Sequence, residues 1–358
     1  MELLETLYGM KAKNSLFYDR KVKIEYKKTI IYGPKKSGKT HLVVDYLQKF
    51  DKNEWLYIDF DDVRVDKFEL TDEKLNNFIK TNHIKILVLD NFDFSCDSIK
   101  CEEIIITTDD NTAYIKGFYK QFLYPLDFEE FIAFDQKHFN VEQLFNRFSN
   151  TGGLPEVVLY TEDNFHKKLQ KTTRDIFTNE KEFLIFKKFC EMQSTKVSLY
   201  QIFNQLKSKI KISKDFLYNV SNNLQKRELI YLLKKYNQEK AAKKAYIFDF
   251  AIKNGLTFKK DFLKRFENMV FLELYKRDKE MYYSDYIDFF ITDKREGVIC
   301  APFTQIERIK AKMKSRNSHF TNLKLQKIWI VTLGNIGDFK QNGINFTLIP
   351  FWDWVLGR

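Results

Sequence analysis

From Lys28 to Leu126 the chain alternates short apolar runs with stretches whose apolar positions recur every three or four residues. "TIIYG" leads into a glycine-bearing loop and a predicted helix from Lys39 to Phe50, and "WLYIDF", "IKILVLDNF" and "EEIIITT" predict three more strands, with "FYKQFLYPL" a fifth. Near-continuous apolar strands belong to parallel sheets buried on both faces beneath helices. The pattern therefore predicts an α/β domain built on a parallel sheet. "PLDFEEFIAF" through "FNRFS" reads as helical until "TGGLPE", where adjacent glycines and a proline break the repeat.

From about Glu182 three helical stretches follow one another, "EFLIFKKFCEM", "SLYQIFNQLKS" and "SKDFLYNVSNNLQKREL", and then two β-like runs, "IYLLKKY" and "KAYIFDF". Three helices and a hairpin of this size predict a winged helix-turn-helix, with Ser213 capping the third helix. The last hundred or so residues turn to mixed α/β, with a helix near "FENMVFLELYKR" and strands at "MYYS", "YIDFFIT", "GVICAPF", "IWIVTL" and "FTLIPF". The boundaries expected are 1–150 for the first α/β domain, 151–181 for a helical lid or linker, 182–258 for the winged helix and 259–358 for the C-terminal α/β domain.

At 358 residues, 44% hydrophobic and 30% charged, the composition is that of folded domains and not of a disordered chain. No apolar run approaches membrane-spanning length, and "MELLETLYGMKAKN" lacks the basic-then-apolar order of a secretion signal, so a cytoplasmic protein without a membrane partner is expected. Cys96, Cys101, Cys190 and Cys300 match neither a disulfide framework nor paired zinc ligands, and the five histidines have no metal-binding spacing. The formal charge is +11, and its location is more telling than its total. Between Phe186 and Ala245 stand 14 Lys and Arg against 4 Asp and Glu, so this one segment carries nearly all of the excess.

Gly33-Pro34-Lys35-Lys36-Ser37-Gly38-Lys39-Thr40 fits G-x-x-x-x-G-K-[ST] in full, between a predicted strand and a predicted helix. The glycines let backbone N–H groups curl around phosphate oxygens, Lys39 reaches the outer phosphates, and Thr40 ligates Mg2+. A carboxylate ending a neighbouring apolar strand completes the metal site, and "ILVLDNFD" supplies it at Asp90. P-loop ATPases commonly place a glutamate next, as the base for water; here the residue is Asn91, whose amide can align water but cannot take its proton. Asp93 is a substitute for that base, and Thr107, Thr108 and Asp109, closing "IIITTDD", stand where a polar residue senses the γ-phosphate, or equally form a simple turn.

The P-loop, "ILVLDNFD", "LYPLDFEEF" and "GGLPEVV", followed by the winged helix and terminal α/β segment, resemble AAA-type ATPases of the archaeal ATPase and DUF4143-like group, related to STAND signalling NTPases. The resemblance implies an ASCE sheet, ATP as the nucleotide, and a lid in which Gly153-Leu154-Pro155 packs near the adenine. On the residues alone, "GGLP" reads equally as a helix breaker. Arg147, just before that element, is the first candidate for an arginine contacting the γ-phosphate.

The resemblance also implies a restriction-endonuclease-like C-terminal fold, for which Asp288 and Glu267 are the acidic groups. The next strand, "GVICAPF", lacks the Glu-x-Lys that the resemblance implies for an active site of that fold, so a degenerate scaffold or interaction surface is expected. Lys214, Asn222, Lys226 and Arg227 on the third helix, with Lys234, Lys235, Lys243 and Lys244 on the hairpin, are the residues expected to meet duplex DNA. The function read from the sequence is an ATP- and Mg2+-binding switch, slow in hydrolysis and coupled to DNA. Its alternative is a non-hydrolysing ATP-binding protein that acts through DNA, a protein partner or self-association.

Overall fold

The computed structural model describes residues 2–9, 19–66, 70–92, 94, 98–134, 139–160, 164–278 and 280–357. The chain divides into two compact units, Met1–Pro125 with Lys226–Glu228, and Leu126–Gln225 with Leu229–Arg358. The helical run after Leu126, expected within the nucleotide-binding domain, belongs to the second of these.

In the first unit, α1 (Glu2–Gly9) precedes β1 (Lys28–Tyr32), α2 (Lys39–Leu47), β2 (Trp55–Asp59), α3 (Asp72–Thr81), β3 (Ile86–Asp90), β4 (Glu103–Thr108) and β5 (Tyr119–Phe122). The strands form one sheet in the order β2-β3-β4-β1-β5, every pair parallel. Because side chains alternate along a strand, each apolar run divides between two cores. Ile30, Leu56, Ile58, Leu87, Leu89, Ile104 and Ile106 pack with Leu4, Leu7, Leu75 and Phe78 on one face. Ile31, Trp55, Ile86, Val88 and Ile105 pack with Leu42, Val43 and Leu47 on the other. Both faces are covered, which is why β2, β3 and β4 are mostly apolar between their ends.

The second unit opens with α4 (Phe128–Ala133), α5 (Val141–Thr151), α6 (Pro155–Val158), α7 (Phe165–Arg174) and α8 (Glu180–Glu191). β6 (Lys196–Val197), α9 (Leu199–Leu206), α10 (Lys214–Lys226), β7 (Ile230–Leu233) and β8 (Lys243–Ile247) follow, with the strands in the order β6-β8-β7. Ser213 accepts from Phe216 N at 3.1 Å, the cap its position before α10 predicts. Then come α11 (Ile252–Leu256), α12 (Phe262–Arg277), β9 (Met281–Ser284), β10 (Ile287–Ile291), β11 (Glu296–Cys300), α13 (Ile306–Ser315), α14 (Asn317–Asn322), β12 (Lys327–Thr332), β13 (Gly337–Gln341), β14 (Ile344–Pro350) and α15 (Phe351–Leu356). The last six strands form a mixed sheet, β13-β14-β12-β11-β10-β9, with α13 and α14 packed on one face through Ile309, Met313 and Phe320.

Helix α12 is buried without a break from Phe266 to Leu274, as a helix enclosed on all sides must be. Its polar residues are therefore matched individually: Asn268 accepts from Ile247 N at 2.8 Å and donates to Ile247 O at 2.9 Å, a side-chain substitute for strand pairing. The "GGLP" element is tied just as firmly. Gly153 N and Leu154 N donate to the buried carboxylate of Asp249 at 2.7 and 3.1 Å, and a Cβ on Gly153 would lie 2.2 Å from Leu126 O. The aromatic end of the chain closes a core, with Phe351 fully buried against Phe128, Phe145 and Phe266.

Candidate functional site

Residues 33–38 cross from β1 to α2 at the C-terminal edge of the first sheet. Gly33 lies so close to the segment after β5 that a Cβ there would meet Leu123 O at 2.3 Å, and Gly38, at φ 100°, caps α2 in the left-handed region. The loop thus turns its amides and the N-terminus of α2 toward one place. Arg20 braces it from outside, donating to Ser37 O at 2.9 Å and Tyr124 O at 2.8 Å. The Lys39 ammonium donates to Gly33 O at 2.8 Å and Pro34 O at 3.1 Å. Burial lowers its pKa to about 8; the charges of Lys35 and Arg227 act in the same direction, against Asp109 and Asp90.

β4 lies between β1 and β3, so its end sits between the loop and Asp90. Asp90 is wholly buried and surrounded by hydroxyls: Thr40 donates to Oδ2 at 2.7 Å, Tyr57 to Oδ2 at 2.6 Å, and Thr107 to Oδ1. Thr107 in turn accepts from Asn91 N at 3.0 Å, with Asn91 at φ 54°. The Asn91 amide donates to Asp59 Oδ1 at 2.9 Å, and Asp59 faces Asp90 in the β2–β3 register. Desolvation raises the pKa of Asp59, against the hydrogen bonds from Asn91 and Asp61 N. Thr40 and Asp90 are the hard oxygen donors that suit Mg2+, and the buried Ser37 hydroxyl has no hydrogen-bond partner among the described residues. This donor set fits a metal-bound nucleotide phosphate.

Residues 25–115 match the family model described as an AAA domain. An uncharacterized protein of Methanocaldococcus jannaschii is 25% identical, over 96% of this chain and 92% of its own length. The Walker-type ATPase of Pyrococcus abyssi aligns over 65% of this chain and 91% of that one, at 14% identity and a TM-score of 0.40. A STAND protein with a tetratricopeptide repeat sensor from Pyrococcus horikoshii aligns over 70% and 43%, at 15% identity and a TM-score of 0.28. Over residues 25–115 the chain is thus similar to AAA domains, and the G-x-x-x-x-G-K-T loop lies within that stretch.

Within this stretch the fold brings together the loop, Lys39, Thr40, Asp90, Asn91, Thr107 and Thr108, while Asp93 lies outside the described residues. Asp109 continues that group, accepting from Arg227 Nε at 2.9 Å. Arg227, expected at a DNA-binding face, is thus engaged in the first unit. Arg147 and Pro155 lie in the second unit: Arg147 donates to Val158 O at 3.0 Å, joining α5 to the end of α6, and Pro155 is the first residue of α6.

Of the other residues expected to meet DNA, Lys214, Asn222 and Lys226 lie on the exposed stripe of α10, Lys234 is exposed after β7, and Lys243 is half-buried. Two are engaged elsewhere. Lys235 pairs with Asp285 at 2.8 Å, and Lys244 lies between Glu267 Oε1 at 2.9 Å and Asp288 Oδ1 at 3.2 Å.

Sequence reasoning missed Asp59, Tyr57, Arg20 and the place of Arg227. Asp59 carried a signal: it ends an apolar strand just as Asp90 does, and ligands of open α/β sheets collect at such ends. Cys101, Cys190 and Cys300 are free thiols, whereas Cys96 lies outside the described residues. No helix among the described residues is long and apolar enough to cross a membrane.

Proposed function

We propose that the chain binds ATP with Mg2+ at residues 33–40, hydrolyses it slowly, and uses the cycle to switch a DNA-binding winged helix. The carrying observation is the convergence of Lys39, Thr40 and Asp90 with the Asn91–Asp59 pair at neighbouring strand ends. Thr40 and Asp90 would hold the metal, which draws charge from the phosphates. Lys39 exchanges its carbonyl partners for phosphate oxygens, and Arg227, rather than Arg147, supplies the further cation beside Asp109. Asp59 takes the part that Asn91 cannot: its carboxylate accepts the proton as water attacks the γ-phosphorus and the bond to the bridging oxygen breaks, giving ADP and phosphate. Asn91 holds that carboxylate in place.

The winged-helix reading rests on α8, α9, α10 and the β7–β8 hairpin, with exposed Lys214, Asn222, Lys226 and Lys234 for phosphates and base edges. The amide at position 91 favours a second reading, in which bound ATP is not hydrolysed and only stabilises one arrangement. Calorimetric ATP binding and steady-state turnover, with and without duplex DNA, separate the two. Lys39→Ala is expected to abolish binding, and Asp59→Asn to keep binding but lower turnover by about 100-fold or more. Full turnover in Asp59→Asn removes Asp59 from the mechanism, and a parent protein that binds without turnover leaves the second reading standing.

A further inference from the structure

In the second unit, β6, β8, β10 and α13 enclose a cavity of about 480 Å3, a volume suited to one small polar ligand. Its floor is the buried cluster in which the Lys244 ammonium lies 2.9 Å from Glu267 and 3.2 Å from Asp288. The acids are otherwise satisfied: Tyr246 donates to Glu267 at 2.8 Å and Cys300 N to Asp288 at 2.9 Å. An ammonium therefore takes the place between the carboxylates that a divalent ion would need. No group of three metal-ligating side chains stands anywhere among the described residues.

The walls carry the opposite charge. Lys196, Lys312 and Arg316 line the cavity, and none has a carboxylate partner among the described residues, while Asp285 at the rim is neutralised by Lys235. An excess of cations over carboxylates around a concave space favours an anion. Tyr286 adds a second, independent feature. It is more than half exposed, in the turn between β9 and β10 at φ 67°. The Arg316 guanidinium lies over its ring at 4.6 Å and His319 meets the ring edge-on at 5.5 Å, so an aromatic platform is fixed beside the cations.

We propose that this cavity binds one phosphorylated nucleotide unit, either free or at the end of a single strand, and does not cleave it. Lys196 and Lys312 take the phosphate, and the base stacks on Tyr286 and Arg316. An acidic peptide would use the lysines but leave the aromatic platform idle. The site is separate from the ATP-binding loop and from the exposed face of α10, and does not depend on either being functional.

The test uses the full chain carrying Lys39→Ala, in EDTA, so that the ATP-binding loop does not contribute. Fluorescence anisotropy with a short 5′-phosphorylated single strand is compared with the same strand lacking the phosphate. Binding should weaken at least tenfold without the phosphate. Adding Lys196→Ala with Lys312→Ala should cost a similar factor and Tyr286→Ala at least fivefold, with unfolding midpoints showing that the variants fold. Competition by a nucleoside 5′-monophosphate would identify the free nucleotide as sufficient, and its failure would assign the site to strand ends. Indifference to the phosphate, unchanged binding in the folded variants, or equal competition by a polyglutamate peptide would each overturn the proposal.

Discussion

Asp249 illustrates how much a single buried side chain can decide. Three amides, from Gly153, Leu154 and Ala251, converge on its carboxylate, yet burial raises its pKa from 3.8 to about 6. Between those values the folded chain holds a proton that the unfolded chain has released, so this contribution to stability is complete below pH 4 and is lost as pH rises through 6. The unfolding free energy of the parent minus that of Asp249→Asn should accordingly fall between pH 4 and 6, by up to about 3 kcal/mol, and level off above. Denaturant titrations across that range give the slope, and a difference that grew with pH would reject the assignment. Asn91 and Asp59 carry a related lesson. Along the chain they are 32 positions apart and look unrelated, but adjacent parallel strands set them 2.9 Å from each other.

At the level of elements, the first sheet was legible because periodicity and burial agree: β1 to β4 were expected from apolar runs whose alternate residues go to opposite cores, while the half-exposed β5 belongs to neither core. Less was legible where tertiary contacts override the local pattern. In α12, uninterrupted burial with Glu267, Asn268 and Glu273 inside becomes intelligible only from the partners those groups find. β13, with its polar "GDFKQ", is a strand only because β14 lies beside it. The tight turn after α5 yields a direct test. Gly153→Ala would set a methyl group 2.2 Å from the backbone oxygen of Leu126, whereas Gly337→Ala would meet nothing within 4 Å. The first should destabilise by about 1–3 kcal/mol and the second by less than about 0.5 kcal/mol in thermal or denaturant unfolding. Equal effects would mean that the close approach at Gly153 is relieved elsewhere.

Across the whole molecule, the charge is the most uneven property, because residues 186–245 hold nearly all of the +11. The total does not say which lysines are available, since Lys235 and Lys244 are already in ion pairs while Lys214 and Lys234 are exposed. If the exposed pair contacts DNA phosphates, Lys214→Gln and Lys234→Gln should each reduce the slope of log affinity against log salt by about 0.9, and Lys244→Gln should leave it nearly unchanged. Binding measured from low to moderate salt reads this out. A slope that moved equally in all three would show that overall charge, and not the exposed face, governs association.

By itself the sequence determined the phosphate loop, because G-x-x-x-x-G-K-T is a local backbone geometry written in consecutive residues, and the parallel sheet, because burial on both faces forces unbroken apolar runs. Tertiary structure alone decided that Asp59 stands beside Asn91, that Arg227 pairs with Asp109, and that Lys244 fills the gap between Glu267 and Asp288. These are pairings of charged and polar groups far apart in the chain. Periodicity records which residues are buried, but only the packed fold sets which buried charge meets which partner.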